Sequence, residues 1–367
     1  MVSPASEARM RGIARCARLL GWHLMVHDRL GARPPAWDGD GVVATVRGDA
    51  RTLALLRSFA ACGIPVVDLA ASRPDLPLPR VASDHEAIGR LAAEHFLERN
   101  FRGAVWFSSG WSAVHEARWR GFSRSIPARR WVLQRELPAR ARGDWSAFSE
   151  WLGRKFAESP RPLAALAYDE ADAASLLDAA ESAGLSVPEE LAILAVGNDP
   201  LLCESQSVPL SSIDQNLEKA AFDGAMLLAR LMDGGSPPRS PVLVPPAGVV
   251  QRRSTDVVAT SDPVVRRALD WIVANLGRDI GAEQVAAATG EGRRRLDRHF
   301  ASDLGRSVGS EILRQRLARA KVLLRSSGKT ASAVAAECGF CSPSHFSNAF
   351  RAATGVSPAR WRAAGRA

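Results

Sequence analysis

Among 367 residues there are only five cysteines and a single tyrosine. Cys16, Cys62, Cys203, Cys338 and Cys341 are too few and too scattered for a disulfide framework, and they suit a reducing cytoplasm. No apolar run approaches the length of a membrane span. The first twenty residues hold no apolar stretch between a basic start and a small-residue cleavage site, so no secretory signal is expected. No G-x-S-x-G turn and no phosphate-cradling glycine loop is present. Cys338 and Cys341 have C-x-x-C spacing but no second ligand pair at zinc spacing. His23, His27, His85, His95 and His115 show no paired metal spacing and read as structural or exposed, and Glu189-Glu190 reads as a surface helix end. These absences argue against an enzyme, a metal site and a membrane protein. No catalytic residue, metal or cofactor is expected.

What is present is an ordinary globular composition, 46% hydrophobic and 24% charged, over a length that suits two or three domains. The charge is unevenly placed. The net charge is +9, and residues 262–367 carry 18 Lys and Arg against nine Asp and Glu, leaving 30 of each sign in the rest. The whole excess therefore lies in the last 106 residues. Such asymmetry suits a polyanion-binding module joined to a neutral one, although a basic face can also be merely solvated.

An internal repeat decides between these readings. Ala282, Val285, Ala286, Ala287 and Gly290 recur 49 positions later as Ala331, Val334, Ala335, Ala336 and Gly339. Leu296, Phe300, Gly305 and Ser307 then answer to Phe346, Phe350, Gly355 and Ser357, 50 positions on. Each copy reads as a short alanine-rich helix that another helix can cross closely, a glycine that ends it, and a second helix with apolar residues at helical spacing. The outer face of that second helix carries Arg293, Arg294, Arg295, Arg298 and His299 in the first copy, and Ser344, His345, Ser347, Asn348 and Arg351 in the second. This layout presents a recognition helix to a major groove. Between the copies, Ile312, Leu313, Leu317, Ala320, Leu323 and Leu324 form the apolar stripe of a linking helix. It would hold the two units about one duplex turn, ~34 Å, apart.

The stretch GFCSPSHFSNAFRAATGVSPARWR resembles the closing signature of the AraC/XylS transcription regulators, and RLARAKVLLRSS resembles their linker helix. The resemblance covers residues 264–363 and implies seven helices with two helix-turn-helix units. It departs in three places. Gly292 stands where a capping Ser is usual, Asn348 where an Arg is common, and Trp361 where a Tyr packs.

The N-terminal two-thirds alternates β-type runs (GVVATV, IPVVDL, GAVWFSS, LAALAYD, LAILAVG, PVLVPP) with helical stretches such as HEAIGRLAAEHFLERN and EADAASLLDAAESAGL. Alternation of this kind predicts parallel sheets covered by helices, with ligands beyond the carboxyl ends of the strands. Asp84, Asp169 and Asn198 fall just after such runs, and Arg118 lies on the helical stretch after GAVWFSS. SDHEAIGRLAAEHFLERNFRG, RWRGF, YDEADAASLLDAAESAGLSVPEELAILAVGND, PLSSID and VPPAGVVQRRSTD make this part similar to the periplasmic-binding-protein-like sensor domain of LacI-type regulators. With both domains in this order, the chain resembles regulators of xylose operons.

The resemblance implies a two-lobed sensor over residues 1–255, a linker over 256–263 and the DNA-binding domain over 264–363. It places Arg118, three residues before Gly121, at the sugar-binding arginine, and Asp169 at a family Asp. Tyr168 replaces an Asn, and Gly197 replaces the Asp of a Gly-x-Asp-Asp turn, with Asn198 and Asp199 following. Both changes strike sugar-gripping positions and put xylose itself in question. The expected ligand-binding set is Asp84, Arg118, Tyr168, Asp169 and Asn198. The family's first strand, which precedes the helix beginning near Glu7, has no visible counterpart. An upstream start is favoured over a degraded lobe, and a native mass would separate the two.

The expected protein is a cytoplasmic, effector-responsive regulator. It binds double-stranded promoter DNA as a homodimer, touches RNA polymerase, and is controlled by a monosaccharide such as xylose. The rival readings are a regulator whose first domain only dimerises, and a solute-binding protein that delivers sugar to a transporter.

Overall fold

The alternating runs of the first 256 residues form alternating strands and helices. In the computed structural model, which describes residues 2–3, 6–26, 38–46, 50–101, 103–108, 112–126, 144–158 and 161–364, the order is β1 (Val2–Ser3), α1 (Glu7–Leu20), β2 (Val42–Ala44), α2 (Ala50–Ala61), β3 (Val66–Asp68), β4 (Val81–Ser83) and α3 (His85–Glu98). Then follow β5 (Ala104–Phe107), α4 (Ala113–Ser125), α5 (Trp145–Glu158), β6 (Leu163–Ala167), α6 (Glu170–Ser182), β7 (Leu191–Val196) and α7 (Pro200–Glu204). The series ends with β8 (Ser211–Asp214), α8 (Leu217–Met232), β9 (Val242–Val244) and β10 (Gly248–Val250). His27 lies outside the described residues.

The strands make two lobes. In the first, β1, β2 and β3 pair in parallel in that order, and a parallel bridge from Asp68 to Arg80 leads on to the parallel pair β4–β9. Ile13, Val43, Val67 and Ala221 lie in its core. In the second lobe the order is β10-β8-β7-β6-β5, parallel except for antiparallel β10. Every residue of β5, β6 and β7 is buried, as befits strands covered on both faces. Trp151, Leu176 and Ile193 fill that core. The chain passes between the sheets three times, after β4, after β8 and after β9.

The expectation of a missing first strand is corrected. Val2 and Ser3 pair in parallel with Val43 and Ala44, and the Ser6 hydroxyl caps α1 by accepting from the Arg9 amide at 3.3 Å. Two residues are too few to show a period in sequence, yet enough for a ladder.

Helices α3 and α4 cross so closely that side chains are excluded where they meet. A Cβ on Gly89 would overlap the carbonyl of Arg118, and one on Gly121 the carbonyl of Glu86. The Gly121 of RWRGF thus seats α4, and with it Arg118, against α3.

The second unit comprises Val257–Ala367 together with Arg99–Phe101. Its helices are α9 (Pro263–Asn275), α10 (Ala282–Thr289), α11 (Arg293–Leu304), α12 (Val308–Ser326), α13 (Ala331–Glu337), α14 (Pro343–Thr354) and α15 (Pro358–Ala364). They are seven among the described residues, the number that the resemblance implies. Gly290 and Gly339 take left-handed backbones, with φ of 71° and 76°, in the two turns. Leu296 and Phe300 are fully buried in one core, Phe346 and Phe350 in another, and Ile312 and Leu324 of α12 serve one core each. Trp361 packs edge-on against Phe350, so the packing role expected of it is kept. Asn100, at a φ of 62°, donates from Nδ2 to the carbonyls of Ala259 (2.9 Å) and Asp303 (3.0 Å). Among the described residues, no helix is long and apolar enough to cross a membrane.

Candidate effector cavity and nucleic-acid interface

A cavity of about 760 Å3 opens between the lobes of the first unit. The first lobe lines it with the start of α1, Thr45 and Ala70–Ser72; the second supplies His85, Arg118, Tyr168–Glu170 and Val196–Leu202. The loops on the first-lobe side are held by a buried ion pair. Asp68 takes a hydrogen bond from Arg80 at 2.8 Å and from the amides of Val46 and Ala70 at 3.1 and 2.9 Å. Burial raises the Asp68 carboxyl above its usual range despite these donors.

Arg118 is the centre of the second-lobe wall and is only 3% exposed. Its guanidinium donates to the Tyr168 carbonyl (2.5 Å), Gln215 Oε1 (2.9 Å) and His85 Nδ1 (3.4 Å). Because His85 follows β4 and Gln215 follows β8, one side chain joins two of the three crossings between lobes. Ser83 Oγ donates to the Gln215 carbonyl at 2.9 Å and ties the same two crossings. Burial lowers the Arg118 pKa, but a guanidinium stays charged. Burial and the neighbouring Arg118 hold His85 well below its ordinary pKa, so its ring is neutral at pH 7. The Tyr168 ring stacks on His115 at 3.7 Å and 8°, with the Arg118 guanidinium 4.6 Å from its centre. Burial, then Arg118, pulls the His115 pKa down to about 4.

Of the five residues expected to bind ligand, Arg118, Tyr168, Asp169 and Asn198 line the cavity and Asp84 does not. The Asp84 carboxylate instead caps α3, accepting from the Ala87 amide at 2.9 Å. A residue just past a strand is as well placed to cap the following helix as to meet a ligand. Asp169 also caps a helix, accepting from the Asp172 amide at 2.9 Å. The side chain of Asn198 is spent within its lobe, on Arg252 (3.2 Å) and Asp214 (3.4 Å).

Gly197 has a physical account in Glu170. At a φ of 147°, Gly197 lies against the buried Glu170 carboxylate, which a Cβ would overlap. Glu170 Oε1 accepts from the Asn198 amide (2.5 Å) and Ser212 Oγ (2.8 Å), and burial raises its pKa. An acidic group therefore stands beside position 197, supplied from α6. Sequence reasoning missed Glu170, Gln215 and His85 as cavity residues. For the last two the signal was present in the sequence, since both stand just past a strand.

In the second unit the recognition-helix candidates differ in charge and in capping. Gly292 gives α11 no side-chain cap, whereas Ser342 caps α14 by accepting from the His345 amide at 3.1 Å. On α11, Arg293 pairs with Asp297 (2.7 Å) and Glu283 (3.1 Å), and Arg295 pairs with Glu291 (3.3 Å). Arg294 and Arg298 are exposed and have no ion pair among the described residues. His299 is half-buried, and its Nδ1 lies 2.5 Å from Asp262, the residue that caps α9. That side chain ties α11 to α9 within the unit rather than projecting outward. On α14, Ser344, His345, Asn348 and Arg351 are exposed and Ser347 is half-buried. Cys341 lies 3.3 Å from His345 Nδ1, and Cys338 is buried in the core.

Comparison with known proteins agrees with both halves. A sequence model of the periplasmic binding protein-like domain matches residues 93–255, and one of a helix-turn-helix domain matches residues 285–364. The xylose operon regulatory protein of Escherichia coli (strain K12) is 27% identical over 358 residues, covering 93% of this chain and 89% of the relative. The regulator DegA of Bacillus subtilis (strain 168) is 25% identical over 223 residues, 60% of this chain and 65% of the relative. Among solved structures, the xylose-binding transcription activator xylR matches with a TM-score of 0.59 at 24% identity, covering 97% of this chain and 94% of that one. A LacI family regulator from Enterococcus faecium, solved with bound ribose, matches 68% of this chain and 94% of its own, with a TM-score of 0.52 at 19% identity. The chain thus joins a periplasmic binding protein-like domain to a helix-turn-helix domain and is homologous to the xylose operon regulatory protein along nearly its whole length.

Proposed function

We propose that the first unit senses a sugar-like effector in the cavity between its lobes, and that α11 and α14 enter successive major-groove faces of promoter DNA. The observation that carries the effector reading is Arg118, a buried guanidinium in the cavity wall that links two of the crossings between lobes. A ligand that engages it bears directly on lobe closure, provided it binds one arrangement more tightly than the other. Tyr168 and Asp169 present further polar atoms to the cavity, while Asp84 caps the helix that begins at His85 and Asn198 braces its own lobe. Arg294, Arg298 and Arg351 bind the DNA backbone, with Ser344, His345, Ser347 and Asn348 facing the groove. Arg293, Arg295 and His299 act mainly through their partners within the unit. Closure in each of two protomers would change how a homodimer presents its DNA-binding units to adjacent half-sites and to RNA polymerase, inside the cytoplasm.

Two experiments test this reading. Footprinting of the full chain on the promoters of its own genomic neighbourhood should give a protected site longer than one duplex turn; protection of a single turn would refute the two-helix reading. A thermal-shift screen of monosaccharides should then find an effector. No shift from any sugar, on folded protein that still binds DNA, would reduce the first unit to a dimerising role.

A further inference from the structure

The hydrogen bonds of Arg118 decide which atoms are left for a ligand. A guanidinium has only donors, so Gln215 must turn its oxygen toward Arg118 and its Nε2 away. His85 must offer a bare Nδ1, which puts its proton on Nε2. Both residues line the cavity, and among the described residues neither Nε2 has a hydrogen-bond partner. Arg118 itself spends three of its five N–H groups, all on neutral acceptors, and no carboxylate among the described residues forms an ion pair with it. Each acceptor of the cluster thus already takes a donor from Arg118, and the donors left over surround a buried positive charge. Arg9 adds a second guanidinium from α1 across the cavity.

Four carboxylates line the cavity as well, and each is already engaged by groups of its own lobe, Glu7 by Arg11. Asp169 takes the Asp172 amide, Asp199 the amides of Leu201 and Leu202, and Glu170 the Asn198 amide and Ser212 Oγ. A sugar hydroxyl could accept from the Arg118 cluster, but it brings no charge to meet a guanidinium that has no ion-pair partner among the described residues. An anionic oxygen group accepts several donors and gives nothing back.

We infer that the effector is an acidic monosaccharide, with its anionic group seated against Arg118, Gln215 Nε2 and His85 Nε2. This rests on the reading of the cavity as the effector site, and deepens it from sugar-like to anionic. A sugar carboxylate and a sugar phosphate share the required chemistry.

Calorimetric titration of the full chain tests it. The panel is glucuronate, galacturonate and gluconate, glucose 6-phosphate, and the neutral sugars glucose, galactose and xylose, at matched ionic strength. Acetate and inorganic phosphate report the anion alone. At least one acidic sugar should bind roughly tenfold to a hundredfold more tightly than its neutral parent, and the carboxylate and phosphate arms say which anion is preferred. Gln215→Glu, which removes the donor and gives Arg118 a carboxylate partner, should weaken that ligand by about tenfold or more while near-ultraviolet circular dichroism stays native. A neutral sugar binding as tightly as its acid overturns the inference and leaves the effector reading standing. Unchanged affinity in Gln215→Glu overturns it as well. Binding of none of the panel by protein that still retards DNA overturns both.

Discussion

The sharpest test of the cavity wall is a single methyl group. Gly197→Ala places a Cβ on the Glu170 carboxylate, at a backbone φ of 147° that side chains rarely adopt. The backbone strain costs about 1–2 kcal/mol. Glu170 must also move, and it leaves short hydrogen bonds from the Asn198 amide (2.5 Å) and Ser212 Oγ (2.8 Å) in a buried setting. Losing hydrogen bonds to a buried charged group costs about 1.5–3 kcal/mol. The variant should therefore lose about 3–5 kcal/mol, a fall of roughly 6–20 °C in the melting of the first unit. Scanning calorimetry or denaturant titration of the full chain measures it. The cause is isolated by adding Glu170→Ala. With the carboxylate gone the clash disappears, so the double variant should lose at least about 1 kcal/mol less than the sum of the singles. A Gly197→Ala protein within about 1 kcal/mol of the parent, or strictly additive losses, would refute the claim that Glu170 excludes a side chain at 197. Gly197→Asp, which restores the residue usual in the family, should be worse still, since it sets a second carboxylate beside the first.

Three further outcomes are expected. Arg294→Ala and Arg298→Ala should each weaken DNA binding and reduce the salt slope of binding by about 0.9 for every phosphate that is no longer neutralised, whereas Arg293→Ala and Arg295→Ala should cost less because those side chains are already paired; equal losses from all four, in titrations at several salt concentrations, would contradict this. Asp262→Ala removes both the cap of α9 and the partner of His299, and should destabilise the second unit by about 1–2 kcal/mol, seen as an earlier denaturant midpoint. The first unit should lose stability in mild acid. His115 is depressed to about 4 in the folded state, so the unfolded chain binds the extra proton first, and stability falls as the pH drops from about 6.5 to about 4 and then levels off from this source. Thermal melts of His115→Gln should show a shallower fall across that window, and an unchanged slope would rule His115 out as its cause.

Several features were written locally and could be read without coordinates. The recurrence of Ala, Gly and Phe at 49 and 50 residues is enough to define two helix-turn-helix units, because helical period and left-handed glycine turns are short-range properties. The apolar runs that became β5, β6 and β7 are legible for the same reason, since strands buried on both faces are continuously apolar. Val2–Ser3 makes the point in reverse, since a strand of two residues is too short to carry a pattern. Arg118 was reachable from its place on the helix after β5, beside the Gly121 that allows α4 to touch α3.

Everything that depends on which distant atoms meet was decided by the tertiary structure alone. Asp84 and Asp169 follow strands in the same way, yet one only caps a helix and the other also lines the cavity. Four arginines stand together on α11, but acidic neighbours on α10, in the turn and on α11 itself engage two of them and leave two without an ion pair among the described residues. Asn100, two residues past α3 in sequence, belongs to the second unit and donates there to the carbonyls of Ala259 and Asp303. The empty position at Gly197 looked like a lost acid and is instead the space that Glu170 occupies. A periodic pattern records what each segment buries, but hydrogen-bond partners separated by tens or hundreds of residues are chosen only when the chain closes on itself.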